Sequence, residues 1–223
     1  EADGARLTAL GARNVITAGD MKAAAPALEA DAESLARVVT AIGDRPVWVA
    51  ASTHPGDEAM EADVHRQIAP SHPGLLTVIV PRHADRGDVV ITELTELGFT
   101  VARRGRNELP QDATELFLGD SMGEMGLYLR LGNPVFMGKS MLHVGGHNPR
   151  EPALLGRAVL IGPHMENVGQ AAETLLQAGG AIEVADPASL AATVSRLLRQ
   201  PDAMAQIGAR GQQRALADAA GIV

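Results

Sequence analysis

Hydroxyl, imidazole, guanidinium and carboxylate groups collect in four short segments of this chain: 51–58 (ASTHPGDE), 81–86 (PRHADR), 119–125 (GDSMGEM) and 144–153 (VGGHNPREPA). In the first, Ser52, Thr53 and His54 precede a Pro-Gly turn and an acidic stretch. That pattern suits a helix start with acids set against the helix dipole, or the mouth of a ligand cleft. In the second, Arg82 and Arg86 stand four residues apart, with His83 between them. A helix beginning here lets both guanidinium groups face one anion, phosphate above all, because each fork donates two parallel hydrogen bonds. The alternative is an ordinary helix start with an ion pair to Asp85. In the third, Ser121 and Glu124 have the spacing of a capping box, with Met122 and Gly123 between them. Glycine in a first turn costs about 0.5–1 kcal/mol relative to alanine, which is tolerable where a ligand approaches the backbone. Free amides and the positive helix end then receive a phosphate. In the fourth, Asn148 suits an N-cap, Pro149 the first helical position, and Glu151 a second capping box. Capping does not explain the preceding Gly145-Gly146-His147, which gives a side-chain-poor approach to the helix. A carboxylate such as Glu151 near such a site can accept both hydroxyls of a ribose.

These segments need elements to hold them. Apolar runs at 14–19, 47–52, 75–81, 100–102, 115–119, 134–137, 158–161 and 181–184 read as strands buried on both faces. Amphipathic stretches at 57–68, 86–97, 167–178 and 187–198 separate them, so the fold class is α/β, a Rossmann-like doubly wound parallel sheet. In such sheets ligands bind beyond the carboxyl ends of the strands, and all four segments follow a strand. The absence of repeats and linkers predicts a single domain over 1–223, with 1–40 as a connecting segment and terminal helices over 187–219.

Composition narrows the function. The chain has 223 residues, 46% of them hydrophobic, and a formal net charge of -8, which excludes a nucleic-acid partner because such binding rests on clustered Lys and Arg. With no cysteine there is neither a disulfide framework nor a thiolate zinc site, and a reducing compartment is permitted. The seven histidines read as scattered, without the spacing of a helical metal motif, so no metal is expected. Neither G-x-G-x-x-G nor G-x-x-x-x-G-K-[ST] occurs, which disfavours a nicotinamide dehydrogenase and a P-loop enzyme. The apolar runs are strand-sized, far below the roughly 20 residues that span a bilayer. The chain starts without Met or a signal pattern and reads as a piece of a longer protein.

In order and spacing the four segments together resemble the 3-deoxy-D-manno-octulosonic acid (Kdo) transferases of Gram-negative bacteria. The likeness runs from about Gly11 to the C-terminus and matches the second half of a family member. It implies the GT-B architecture, two Rossmann-like domains across a cleft, with this half holding the nucleotide of CMP-Kdo. By position, Arg82 would contact the CMP phosphate or cytidine, and the amides of Ser121, Met122, Gly123 and Glu124 would receive the phosphate. Asn148 and Glu151 would hold the ribose, while Ser52, Thr53 and His54 line the cleft. His83, Gly145, Gly146 and His147 complete the donor set, with Asn167 supporting it from the following G-P-x-x-x-N loop. The resemblance further implies an inverting transfer onto a lipid A precursor, in lipopolysaccharide biosynthesis at the cytoplasmic face of the inner membrane. The catalytic carboxylate base and the membrane association would belong to an N-terminal acceptor domain absent here, so this half would bind the donor without turning it over. No cofactor and no divalent metal is implied. Segment 127–139 departs from the family: Asn133-Pro134 replaces an Asp, and Gly138-Lys139-Ser140 replaces Gly-Gly-Ser. A GT-B-like UDP-sugar transferase or epimerase, and a non-catalytic nucleotide-binding domain, are the alternative readings.

Overall fold

A computed structural model describes residues 2–15, 25–143 and 145–220. Seven parallel strands form one sheet: β1 (Val47–Thr53), β2 (Leu76–Pro81), β3 (Val101–Arg103), β4 (Leu116–Leu118), β5 (Val135–Met137), β6 (Val159–Ile161) and β7 (Ala181–Glu183). Their order is β3-β4-β2-β1-β5-β6-β7, so the direction of winding reverses between β1 and β5. Every residue of β1 and β2 is buried, as continuous apolar runs require when helices cover both faces of a sheet. The seven apolar runs from 47 onward each become a strand; the run at 14–19 falls partly on 16–19, outside the described residues.

Alternation along β1 separates two cores. Val49 and Ala51 face a layer built from α2 (Ala32–Ile42), α5 (Met125–Leu131), α6 (Arg150–Leu154) and α7 (Gly169–Gln177). Trp48 and Ala50 face α3 (Asp57–Ile68) and α8 (Pro187–Arg199), and α4 (Gly87–Glu96) closes the same face over β2. The last helix, α9 (Pro201–Ala220), gives Ile207 to one core and Ala215 to the other, wrapping the β7 edge. Among the described residues no helix is long and apolar enough to cross a membrane.

The connecting segment expected over 1–40 is corrected. It carries α1 (Ala2–Ala9) and most of α2, and α2 is integral to the domain: Asp31 caps it through Ser34 N at 2.8 Å, and Val38 and Ile42 are buried. The terminal helices α8 and α9 occupy Pro187–Arg199 and Pro201–Ala220. Their packing depends on close backbone approach, since a Cβ on Gly208 of α9 would lie 2.0 Å from the Gly156 carbonyl oxygen. Gly208→Ala is expected to cost about 1–3 kcal/mol through overpacking, measurable as a lower urea midpoint with an unchanged slope.

Candidate functional site at the carboxyl edge of the sheet

The reversal between β1 and β5 opens the crevice where open α/β sheets take ligands. Two strand ends meet there in unusual backbone. Ser52 at φ 61° and Lys139 at φ 60° are both left-handed, and the register of β1 against β2 shifts between Ala51 and Thr53. Gly138 lets the strands approach, because a Cβ there would sit 2.7 Å from the Ser52 carbonyl oxygen. Asp57, the first residue of α3, joins the two ends: its Oδ2 accepts from His54 N at 3.0 Å and from Lys139 N at 2.8 Å. Burial raises the Asp57 carboxyl, and these two amide bonds oppose the rise.

Four of the seven histidines gather above this junction, which corrects the expectation that they are scattered. The His54 and His147 rings stack 5.1 Å apart, and their Nε2 atoms lie 2.9 Å from one another. One nitrogen must donate and the other accept, so the pair cannot be doubly cationic. His83 stands edge-on at 6.0 Å and His143 at 6.3 Å from the His54 ring. Burial depresses His54, with Lys139, His83 and His143 adding to the effect; burial, then His54, Arg82 and Lys139, brings His147 down to about 4. Glu151 is raised by burial and partly restored by the charge of Arg82. Arg82, Glu151, His147, His54 and Lys139 therefore form one electrostatic neighbourhood. Among the described residues no group of three or more His, Asp or Glu is arranged to hold a metal ion.

Other expectations need revision. Arg82 and Arg86 do not share a helix face: a 3-10 turn occupies Ala84–Arg86, α4 starts at Gly87, and Arg86 turns inward to Glu58 at 2.6 and 3.2 Å. The Ser121 capping box does not form, because α5 begins only at Met125 and Ser121 Oγ bonds the Glu124 carboxylate and the Tyr128 hydroxyl. Arg104 holds Glu124 through two bonds, of 2.9 and 2.7 Å, and that pairing lowers the Glu124 carboxyl. Gly123 lies in the turn before α5 at φ 78°, where a Cβ would meet nothing, so backbone conformation alone accounts for glycine there.

The second box is also replaced. Pro149 is the N-cap of α6, and Asn148 Oδ1 accepts from Arg150 N at 3.1 Å. The space beside Gly145 and Gly146 is filled by protein rather than left open: a Cβ on them would stand 2.3 Å from Asn167 Nδ2 and 2.5 Å from Met165 Sδ. Asn167 N donates to the Gly145 carbonyl at 3.0 Å, and Glu166 accepts from Gly145 N at 2.9 Å, which ties the 163–167 loop beneath His147. Val144 lies outside the described residues. Sequence reasoning passed over His143 and the bridging role of Asp57. His143 carries no spacing signal, whereas an acid directly after a Pro-Gly turn is visible but reads equally as a partner of the helix dipole.

No family model matches the chain. It is 37% identical over 171 residues to the 3-deoxy-D-manno-octulosonic acid transferase of Haemophilus influenzae, covering 76% of this chain and 40% of that protein. The enzyme of the same name from Bordetella pertussis is 32% identical over 207 residues, covering 89% and 47%. The structure superposes on the C-terminal CMP-Kdo binding domain of WaaA from Acinetobacter baumannii with a TM-score of 0.76 and 26% identity, covering 82% of this chain and 96% of that domain. This chain belongs to the Kdo transferase family. It spans less than half the length of these two curated relatives and corresponds to the C-terminal half of a family member, with the GT-B type of Rossmann-like sheet. For a Kdo transferase domain the placement of its four sequence segments is coherent, since they end β1, β2 and β4 and follow β5 at one edge.

Proposed function

We propose that this chain is the donor-binding half of a glycosyltransferase that takes Kdo from CMP-Kdo and delivers it, with inversion, to a lipid A precursor at the cytoplasmic face of the inner membrane. The observation that carries the reading is the concentration of Arg82, Lys139 and four histidines at the β2, β1 and β5 ends of a chain whose net charge is -8. Two fixed cations with imidazoles beside them as hydrogen-bonding groups, on an acidic protein, suit one compact anionic ligand. As CMP leaves, negative charge grows on its phosphate, and fixed cations and amides at the edge stabilise that charge without reorganising. Arg82 meets the phosphate or cytidine, the turn at Met122 and Gly123 offers amides from the β4 side while the Ser121 amide is held by the Tyr128 hydroxyl, and Asn148 and Glu151 hold the ribose. Glu151, raised by burial yet facing Arg82, is suited to receive ribose hydroxyls. The acceptor, its activating base and the membrane association belong to the remainder of the full-length enzyme. A monophosphate leaving group has no pyrophosphate for a divalent ion to bridge, so the transfer needs no metal.

Calorimetry on the 223-residue chain is expected to show CMP binding that UDP does not displace. Arg82→Ala and Glu151→Ala are each expected to weaken it about tenfold or more, the loss of one charge-assisted contact. A folded wild-type chain without CMP heat, or two variants that bind as well as wild type, would refute the assignment.

A further inference from the structure

Among the described residues, four that are not glycine have positive φ; two are asparagines, which tolerate it, and the others are Ser52 and Lys139. At Lys139 the conformation is enforced from both sides. Its N–H donates to buried Asp57 at 2.8 Å, and its carbonyl accepts from Gly146 N at 3.1 Å. Glycine would adopt this backbone freely, so the lysine is held against local preference.

The side chain is half-buried, with its Cε 3.6 Å from where a Cβ on Gly145 would stand. Among the described residues it forms no salt bridge. Its electrostatic neighbours are the His54 and His147 rings, and Arg82 acts on His147 as well. A half-buried cation with no carboxylate partner among the described residues, held on left-handed backbone beside two imidazoles, is accounted for once an anion arrives there.

We propose that Lys139 is a donor-binding residue whose ammonium takes the nucleotide phosphate from the β5 side while Arg82 takes it from the β2 side, the two flanking the end of β1. This inference rests on the donor-binding reading and adds to it a contact that the four sequence segments do not contain.

The test uses Lys139→Gly, Lys139→Met and Lys139→Arg in the 223-residue chain, titrated with CMP and with cytidine and followed by thermal melting. Lys139→Gly is expected to melt at or above wild type, by up to about 4 °C, because backbone strain is relieved, yet to bind CMP about 5- to 20-fold more weakly. Lys139→Met should lose as much CMP affinity without the gain in melting temperature, and Lys139→Arg should stay within about threefold of wild type. Cytidine, lacking the phosphate, should bind all four proteins alike. A folded Lys139→Gly protein that binds CMP within twofold of wild type overturns the proposal, as does a methionine variant that retains affinity. If wild type itself does not bind CMP, the donor reading fails, and inorganic phosphate then decides on Lys139. Stabilisation by phosphate of wild type but not of Lys139→Gly supports it, and equal stabilisation overturns it.

Discussion

Arg86→Met is expected to lower the stability of the domain by about 3–5 kcal/mol, the cost of removing one partner from a buried ion pair. Arg86 reaches from the turn after β2 into the interior and meets both oxygens of Glu58, whose side chain has no exposure. Thr53 Oγ1 donates to the same carboxylate at 2.7 Å. Without the guanidinium, Glu58 is left charged in a dry environment between the equally buried Asp57 and Glu61. Urea unfolding followed by circular dichroism should show the loss as a lower midpoint. Glu58→Met combined with Arg86→Met should recover most of it, because replacing both partners by apolar groups removes the uncompensated charge. A single variant as stable as wild type would mean that the pair has no structural role, and would return Arg86 to the list of ligand contacts.

Glu61→Gln should act in the opposite direction, and its gain should grow with pH. Both Glu61 carboxylate oxygens are buried without a hydrogen-bond partner. Burial, then the charges of Asp57 and Glu58, push the carboxyl well above the usual carboxylate range. The sign follows from proton binding. Above the unfolded-chain value near pH 4.3 the unfolded carboxyl has released its proton while the folded one keeps it, so stability falls as pH rises toward the folded value. Glutamine carries no proton to lose and abolishes that slope. Urea unfolding at pH 5 and pH 8 should therefore give a stabilisation by Glu61→Gln that is about 1–4 kcal/mol larger at the higher pH. Equal differences at the two pH values would show that Glu61 ionises as an exposed carboxylate does.

Local pattern carried most of the architecture. Runs such as 47–52 and 75–81 declare strands covered on both faces, and α3 spans the same residues, 57–68, that its amphipathic spacing indicates. The helix α2 is legible too, with Asp31 as cap and Leu35, Val38 and Ile42 on one face, although its place before the first buried strand reads as a connecting segment. The site was less legible because its geometry depends on partners remote in the chain. Capping-box spacing at Ser121 and Glu124 is genuine, yet Arg104 and Tyr128 claim those side chains. Arg86 has the spacing to share an anion with Arg82, yet Glu58, 28 residues away, takes it. Left-handed backbone at Ser52 and Lys139 has no sequence signature, since neither residue type prefers it.

The single oxygen of Asp57 that accepts from both His54 and Lys139 clasps together loops 82 residues apart in sequence. Neither loop can relax its left-handed kink without tugging the other through that shared acceptor. Removing that one carboxylate would therefore release the backbone of both strand tips at once, so a change at this acid costs two loops rather than one.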